Sequence, residues 1–475
     1  MDKKIYITTP LYYVNDIPHI GHAYTTIAAD VLSRYYKSQG KEVFFLTGTD
    51  EHGAKIAEAA EKAGKKPKEF VDSLATKFEN TWQNLNIQYD EFLRTTNPKH
   101  QEIVKDFVNK LKEKGFIEKK KYEGLYCVGC ERFLNKDELV DGKCPDHDKE
   151  PIKQSEENYF FLLSKFEDKL KKAIDKGDYK IAPEGRKNEV LGKLDQGLED
   201  VSISRAAVEW GVPFPGDSEQ TIYVWIDALI NYYSAQKMFD QDSIWPPDIH
   251  LMAKDILWFH AIVWPALLMA LGIDLPKKIF AHGFFTIDGK KMSKSLGNVL
   301  DPNKMVEKYG ADAVRYALLR EFPFGEDGDI SEEKMALRYQ KDLANGLGNL
   351  LQRTISMINK YDVKIDSSKK EHTQEIISRY PLDSFNDDIK NLKFDKALQR
   401  IVSIAEFTNK VIDDNKPWKL AKSDKNKLKE VLQAVFEFLK LINERIQPFM
   451  PETAEKMEKQ LETLKPEPLF PRLDN

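Results

Sequence analysis

Two histidines flank a glycine in the tetrad His19-Ile20-Gly21-His22. Before it, Ile5-Tyr6-Ile7-Thr8-Thr9 reads as a short β-branched strand ended by Pro10, and after it Ala23 to Tyr36 has helical spacing. The imidazoles therefore sit where a strand hands over to a helix N-terminus. The chemistry on offer there is anion binding by free backbone N–H groups, the positive end of the helix dipole and ring N–H donors. Gly21 would let a flat group such as a purine approach the backbone. Taken alone, two incidental loop histidines explain the tetrad as well. A second cluster, Lys291-Met292-Ser293-Lys294-Ser295, lies between Gly289-Lys290 and Leu296-Gly297-Asn298. Lysines among small hydroxyl residues in a Gly-flanked loop suit a mobile clamp on polyphosphate; a solvated basic loop is the plainer reading. A third set is Cys127-x-x-Cys130 followed by Cys144-Pro-Asp-His147. Two such turns give a closed tetrahedral Zn²⁺ site that uses every cysteine in the chain, and four protein ligands make it structural rather than catalytic.

Stepping from these residues to the elements that must hold them, residues 1–116 alternate strand and helix signals. Glu42 to Leu46 is a second apolar strand ending at Thr47-Gly48-Thr49-Asp50. Strands separated by amphipathic stretches imply a parallel sheet with ligand sites at the strand carboxyl ends, where Asp50 falls. Its carboxylate is placed equally well to hold a substrate ammonium or to cap the helix after Gly53. Residues 117–222, which carry the cysteines, break the rhythm and read as an insert. The α/β pattern returns over 223–300: Tyr223 to Ile226 reads as a strand, with Trp225, Ala228 and Tyr232 then at helical-face spacing. Ile256 to Ile273 is an apolar run interrupted only by His260, most simply a buried helix around a satisfied core histidine. Residues 301–345 read as short helices and 346–475 as a bundle of long amphipathic helices. Trp418, in Asn415-Lys416-Pro417-Trp418, suits either base stacking or core packing. The expected fold class is α/β: a Rossmann-like parallel-sheet domain split by a zinc-binding insert, then an all-α helical bundle.

At 475 residues the chain has room for about three domains. Hydrophobic residues at 41%, charged residues at 31% and a mean hydropathy of −0.53 describe a soluble protein with real cores. The 256–273 run is long enough to span a bilayer, but it contains Pro265 and is flanked by Lys254-Asp255 and Asp274, so no membrane association is expected. The N-terminus lacks signal-peptide and transit-peptide character, and three cysteines are too few for a disulfide scaffold; a cytoplasmic location is expected. A net charge of −5 says nothing for nucleic acid, and the 23 Lys/Arg against 21 Asp/Glu in 346–475 form only a weak asymmetry. Neither G-x-x-x-x-G-K-[ST] nor G-x-G-x-x-G occurs, so a P-loop and a dinucleotide fingerprint are excluded.

The tetrad and the basic loop together resemble the two signatures of the class I aminoacyl-tRNA synthetases, and the rest of the chain resembles the methionyl group of that family. The resemblance implies a methionine–tRNA ligase using ATP, with Mg²⁺ accompanying the nucleotide and one structural Zn²⁺. His19, Gly21 and His22 match the HIGH tetrad, implied to bind ATP; Lys291 and Lys294 match the KMSKS lysines, with Lys294 implied to stabilise departing pyrophosphate. Leu11, Tyr13, Asp50, Trp225, Ala228, Tyr232, Phe259 and His260 match methionine-pocket positions, and Arg205 is implied to help position the substrate. Asn349, Arg353 and Trp418 resemble the set that reads a CAU anticodon, so the implied partner is tRNA(Met). The cysteine pattern resembles the single-knuckle bacterial form, and without an appended OB-fold domain a monomer is expected.

Three other readings compete. A cysteinyl enzyme would need an open zinc position. A tRNA-binding paralogue without activity conflicts with intact His19, His22, Lys291 and Lys294. An adenylyltransferase of the HIGH-containing group needs no long helical bundle.

Overall fold

The computed structural model describes residues 4–127, 132–134, 139–145, 148–206, 208–287, 289–292, 299–366 and 384–471. The chain divides into two compact units: Met1–Ile17, Phe44–Phe78 and Tyr89–Ala281 form the first, and Pro18–Val43, Glu79–Gln88 and His282–Asn475 form the second.

The first unit is built on a sheet with strand order Tyr12–Tyr13, Val43–Asp50, Ile5–Thr8, Ile249–Ala253, Lys278–His282 and Lys180–Ala182, with Glu91–Arg94 also pairing with Val43–Asp50. Tyr12–Tyr13 and Glu91–Arg94 run parallel to Val43–Asp50, Ile5–Thr8 runs parallel to Ile249–Ala253, and Lys278–His282 runs parallel to Lys180–Ala182. Every residue of Val43–Asp50 is buried, as a strand covered on both faces requires. Gly48 is needed there because a side chain would meet the Leu93 carbonyl oxygen at 1.8 Å. The helices Pro98–Glu113, Val224–Met238 and Trp264–Leu271 supply Phe107, Leu111, Ile226, Ile230, Trp264 and Leu268 to the same hydrophobic core as Tyr6, Phe44 and Leu46.

Three expectations change here. Tyr223 to Ile226 is not a strand. Its predecessor Asp217–Ile222 ends a small antiparallel sheet with Ser204–Arg205 and Pro213–Phe214, and the helix Val224–Met238 begins at once with Tyr223 as its N-cap. The helix is buried on nearly every side, so its apolar run lacks the amphipathic period that distinguishes helix from strand. The 256–273 run is not one regular helix either. A 3₁₀ turn, Lys254–Ile256, and a π-helical turn, Phe259–Val263, precede Trp264–Leu271. Pro265 has no N–H for the Ala261 carbonyl, and the Tyr179 hydroxyl donates to that oxygen instead, at 2.9 Å.

Finally, the stretch 117–222 is an insert only in its first half. Ile117–Cys127 and Ile152–Phe161 form a long antiparallel pair flanked by Arg132–Leu134 and Val201–Ser202. Lys180–Ala182, however, is an edge strand of the central sheet, and Leu163, Phe166, Leu170 and Leu194 join the central core. A three-residue strand carries no period from which sequence could place it.

The second unit contains the helix Ile20–Ser38, a small sheet and the helical bundle. In the sheet Phe285–Ile287 pairs with Lys290–Lys291 and, in parallel, with Gly328–Ile330. The bundle is formed by Asn349–Lys360, Phe394–Asn415, Lys425–Ile446 and Pro451–Thr463, whose apolar faces bury Ile355, Leu398, Ile404, Leu432, Val435 and Leu439. Among the described residues no helix is long and apolar enough to cross a membrane.

Candidate functional site

In the second unit, His19 is the N-cap of the helix Ile20–Ser38 in an extended backbone conformation. Its Nδ1 accepts from the Gly21 N–H at 3.1 Å, and Nδ1 of His22 accepts from the His19 N–H at 3.2 Å, a capping box made from two imidazoles. The Ile20 N–H donates to the Leu300 carbonyl at 3.2 Å. The backbone N–H groups expected to be free for an anion are thus in use, because the imidazoles satisfy the helix end themselves. With Nδ1 accepting, each neutral ring carries its proton on Nε2. The rings stack with centroids 3.7 Å apart. Burial lowers His19 to about 4, and burial together with the neighbouring His19 holds His22 well below the usual imidazole range. Both are uncharged at neutral pH. Gly21 owes its identity first to His19: a side chain there would meet the His19 ring at 3.0 Å. Behind the tetrad the Thr25 hydroxyl donates to Nε2 of His282 at 2.6 Å, since His282 Nδ1 donates to the Gly283 carbonyl.

The basic loop leaves the hairpin of Phe285–Ile287 and Lys290–Lys291. Asp329 ties down its base. One carboxylate oxygen accepts from the Gly289 N–H at 2.6 Å and the Thr286 hydroxyl at 2.7 Å, and the other from Lys334 Nζ at 2.8 Å. Those three bonds hold the Asp329 carboxyl at about 2. Lys294 lies outside the described residues, as does the side chain of Lys291.

The residues matched to an amino-acid pocket fall in the first unit. Asp50 ends its strand opposite Tyr13 and does not cap the following helix, whose N-cap is Gly53. Leu11 and Tyr13 pack on the central core. Trp225 and Phe259 stack with centroids 4.2 Å apart and planes 6° from parallel, and His260 presents an edge to Trp225 at 6.5 Å. His260 Nδ1 faces the Ile256 carbonyl at 2.9 Å and must donate to it, so Nε2 accepts from the Tyr232 hydroxyl at 2.8 Å. Burial lowers His260 to about 4, so this wall is neutral. Ala228 shares the Trp225 helix, one turn before Tyr232. Arg205 lies 4.0 Å from the Tyr223 ring and donates to the Ser202 hydroxyl and the Ser204 carbonyl. With His52, Trp210 and Tyr126 it lines a small cavity.

Trp418 is 42% exposed and so is not a buried core side chain. Lys416 turns the chain in a left-handed conformation between Phe394–Asn415 and the short helix Pro417–Ser423. The Arg353 guanidinium lies 5.9 Å from the Trp418 ring and pairs with Asp413 at 2.8 Å. Asn349 is exposed one helical turn before Arg353. Sequence reading thus names three residues that share one face of the bundle.

Of the proposed zinc ligands, Cys127 and Cys144 are buried together in a small cluster with Leu134, while Cys130 and His147 lie outside the described residues. Cys144 sits in a turn closed by Cys144 N–H to Lys149 O at 2.9 Å and Asp148 N–H to Cys144 O at 2.8 Å. The described half of the donor set fits a thiolate-bound metal.

One constellation escaped the sequence reading. Asp227, 1% exposed, accepts from His52 Nδ1 at 2.7 Å and from His100 Nε2 at 3.0 Å, and His100 Nδ1 lies 2.7 Å from the Ser234 hydroxyl. Burial would raise the Asp227 carboxyl, but His52 and His100 outweigh it and hold it at about 2. Its signal was a lone carboxylate inside Val224-Trp225-Ile226-Asp227-Ala228-Leu229-Ile230.

The family model described as tRNA synthetases class I (M) matches residues 5–150 and 146–355, and that of the anticodon binding domain of methionyl tRNA ligase matches 365–472. The chain is 46% identical over 474 residues to the methionine–tRNA ligase of Caldanaerobacter subterraneus subsp. tengcongensis, covering 97% of this chain and 74% of that one. It is 46% identical over 471 residues to that of Thermotoga maritima, covering 96% and 74%. Among solved structures it is similar to Mycobacterium tuberculosis methionyl-tRNA synthetase in complex with methionyl-adenylate, with a TM-score of 0.91 and 37% identity, covering 99% and 100%.

Proposed function

The chain belongs to the class I tRNA synthetases of the methionyl type, and from that premise we propose how its residues divide the reaction. The reaction is the ATP-dependent attachment of methionine to tRNA. The methionine carboxylate attacks the α-phosphorus of ATP, pyrophosphate leaves, and the terminal ribose hydroxyl of tRNA then takes the methionyl group and releases AMP.

Both steps are displacements, so the protein contributes position and electrostatics rather than a nucleophile. Asp50, at a strand carboxyl end, takes the substrate ammonium. Leu11, Tyr13, Trp225, Ala228, Tyr232, Phe259 and the neutral His260 enclose the side chain, with Arg205 supporting the wall from Tyr223. His19 and His22, with Gly21 between them, present Nε2–H donors to ATP, and Lys291 and Lys294 neutralise the phosphates as pyrophosphate departs. A Mg²⁺ accompanying ATP would supply further neutralisation of the phosphate charge. Asn349, Arg353 and Trp418 take the CAU anticodon of tRNA(Met). Cys127, Cys130, Cys144 and His147 would hold a Zn²⁺, which when bound would cross-link the insert. Residues 1–116 and 223–300 form the catalytic domain, 117–222 the insert (its Lys180–Ala182 strand returning to the central sheet), 301–345 the link and 346–475 the anticodon-binding domain.

The observation that carries the reading is the Trp225–Phe259 stack beside a neutral His260 whose two ring nitrogens are both engaged. Such walls suit a long, polarizable, uncharged side chain and penalise a charged one. ATP–pyrophosphate exchange with each of the twenty amino acids tests it. Methionine should dominate, and homocysteine, one methyl shorter, should be activated measurably, because an apolar pocket discriminates by only ~1–3 kcal/mol per methylene. Faster exchange with any other amino acid, or a Trp225→Ala variant with an unchanged methionine KM, refutes the assignment.

A further inference from the structure

We propose that Asp227, gripped by His52 and His100, is a positioning residue that sets the rotation of the Val224–Met238 helix and so aims Trp225, Ala228 and Tyr232 at the strand end bearing Asp50; this rests on the pocket assignment above.

The network joins three chain segments at their ends. His52 lies two residues beyond Asp50, where Val43–Asp50 has just finished. His100 is buried in the first turn of Pro98–Glu113. Asp227 is in the first turn of Val224–Met238, between Trp225 and Ala228. Trp210 braces the His52 side, with its ring edge-on to His52 at 5.5 Å and its indole N–H donating to the Glu51 carbonyl at 2.6 Å. The Gly53 N–H donates to the Trp210 carbonyl at 2.9 Å, so the backbone on both sides of His52 is held.

Helical geometry gives this grip its consequence. Asp227, Asn231 and Ser234 lie along one side of the helix, and Trp225, Ala228 and Tyr232 along another, roughly 120° away at about 100° per residue. The first side is bonded to the segments beside Asp50, through Asp227 to His52 and His100 and through Ser234 to His100, whereas on the second side Tyr232 bonds to His260. Pinning one side of a cylinder at two points fixes its roll, and the roll decides where the other side faces. An apolar residue at 227 could bury the same volume but would remove both bonds at the first turn, leaving the roll to packing and to Ser234 and Tyr232 further along the helix. Replacing a buried ionic group by a well-packed apolar one is often neutral for stability, so stability does not account for the carboxylate.

The test is steady-state ATP–pyrophosphate exchange on the full chain with Asp227→Asn, His52→Asn, His52→Leu, His100→Gln and His100→Leu, with Trp225→Ala as control. His52→Asn keeps a donor near the Nδ1 position, and His100→Gln keeps one near Nε2. Asp227→Asn, His52→Leu and His100→Leu should raise the methionine KM by about tenfold or more, since a displacement of an ångström or less in a positioning group has effects of that order. The ATP KM should stay within about twofold. His52→Asn and His100→Gln should recover most of the methionine KM. If Trp225→Ala leaves the methionine KM unchanged, the pocket assignment itself falls. If Trp225→Ala raises it while Asp227→Asn and His52→Leu do not, the assignment stands and the positioning role is wrong. A loss in which kcat, both KM values and thermal midpoint fall together, with no difference between His52→Asn and His52→Leu, also overturns the proposal. Should Asp227→Asn fail to fold, the His52 pair alone decides.

Discussion

Each unit buries one carboxylate between two basic side chains, and the two clusters are built differently. In the first unit Asp227 meets two imidazoles beside the amino-acid pocket. In the second, Asp30 meets two guanidiniums, eight residues along its helix from His22. Arg34 Nε lies 2.8 Å from Asp30, Arg315 Nη2 lies 2.6 Å from it, and the Gln88 N–H donates to its other oxygen at 2.8 Å. Arg315, 0% exposed, gives its remaining donors to the carbonyls of Phe449, Pro448 and Leu85 at 2.7, 3.0 and 3.2 Å. A guanidinium cannot lose its charge and offers five donors in a fixed fork, so it can tie a helix to Asp30 and to two separate stretches of backbone. An imidazole offers two positions, and each of these can be reproduced by an amide. The arginine cluster is a structural joint, and the histidine cluster is an adjustment of orientation.

Arg315→Ala is the severest way to probe that contrast. It leaves three interior carbonyls without their donor and the Asp30 carboxylate with Arg34 as its one cation, and the expected loss of stability is ~3–5 kcal/mol. Urea denaturation should show the midpoint falling, while the methionine KM of the folded protein at low temperature stays within twofold. A methionine KM that rises as it does for Asp227→Asn would erase the distinction between the clusters.

Within the second unit the same contrast separates buried joints from an exposed reading face. Trp418 is half exposed and is met by Arg353 rather than by a core. Trp418→Ala should weaken charging of a CAU-anticodon tRNA by ~1–3 kcal/mol, the worth of one stacked base. Thermal midpoint and tRNA-independent pyrophosphate exchange should hardly move. Early melting with normal charging at low temperature would place Trp418 among the structural residues after all.

The smallest effect concerns acid. Burial holds His19 at about 4, below the ordinary imidazole value of about 6.5. A histidine whose folded value is depressed favours the native state while neutral: its contribution is complete above about pH 6.5 and is lost as pH falls towards about 4. His19→Gln, which keeps polar capacity without titrating, should flatten part of the decline in thermal midpoint between those values. Asp227 behaves differently, because its carboxyl is depressed to about 2 and its contribution disappears only below about pH 4. If His19→Gln leaves the pH 6.5–4 slope unchanged, His19 is not among the histidines that produce it.

Where chemistry depends on neighbours in the chain, the sequence alone was enough. The handover from strand to helix at His19–His22 and the amphipathic faces of the bundle helices are local patterns, and each is written within about twenty residues. Trp225, Ala228 and Tyr232 could be placed on one helical face from spacing, although the first turn of their helix read as strand. Tertiary structure decided everything that joins distant segments. His52, His100 and Asp227 are separated by up to 175 positions, and no window of sequence contains the bonds between them. The same holds for Tyr179 completing a helix broken by Pro265, and for Lys180–Ala182 returning to the sheet edge. The imidazole capping box is the reverse case. All its atoms lie within four residues, yet only backbone angles decide that His19 and His22 turn Nδ1 inward, which satisfies the helix end and directs the Nε2 protons away from it.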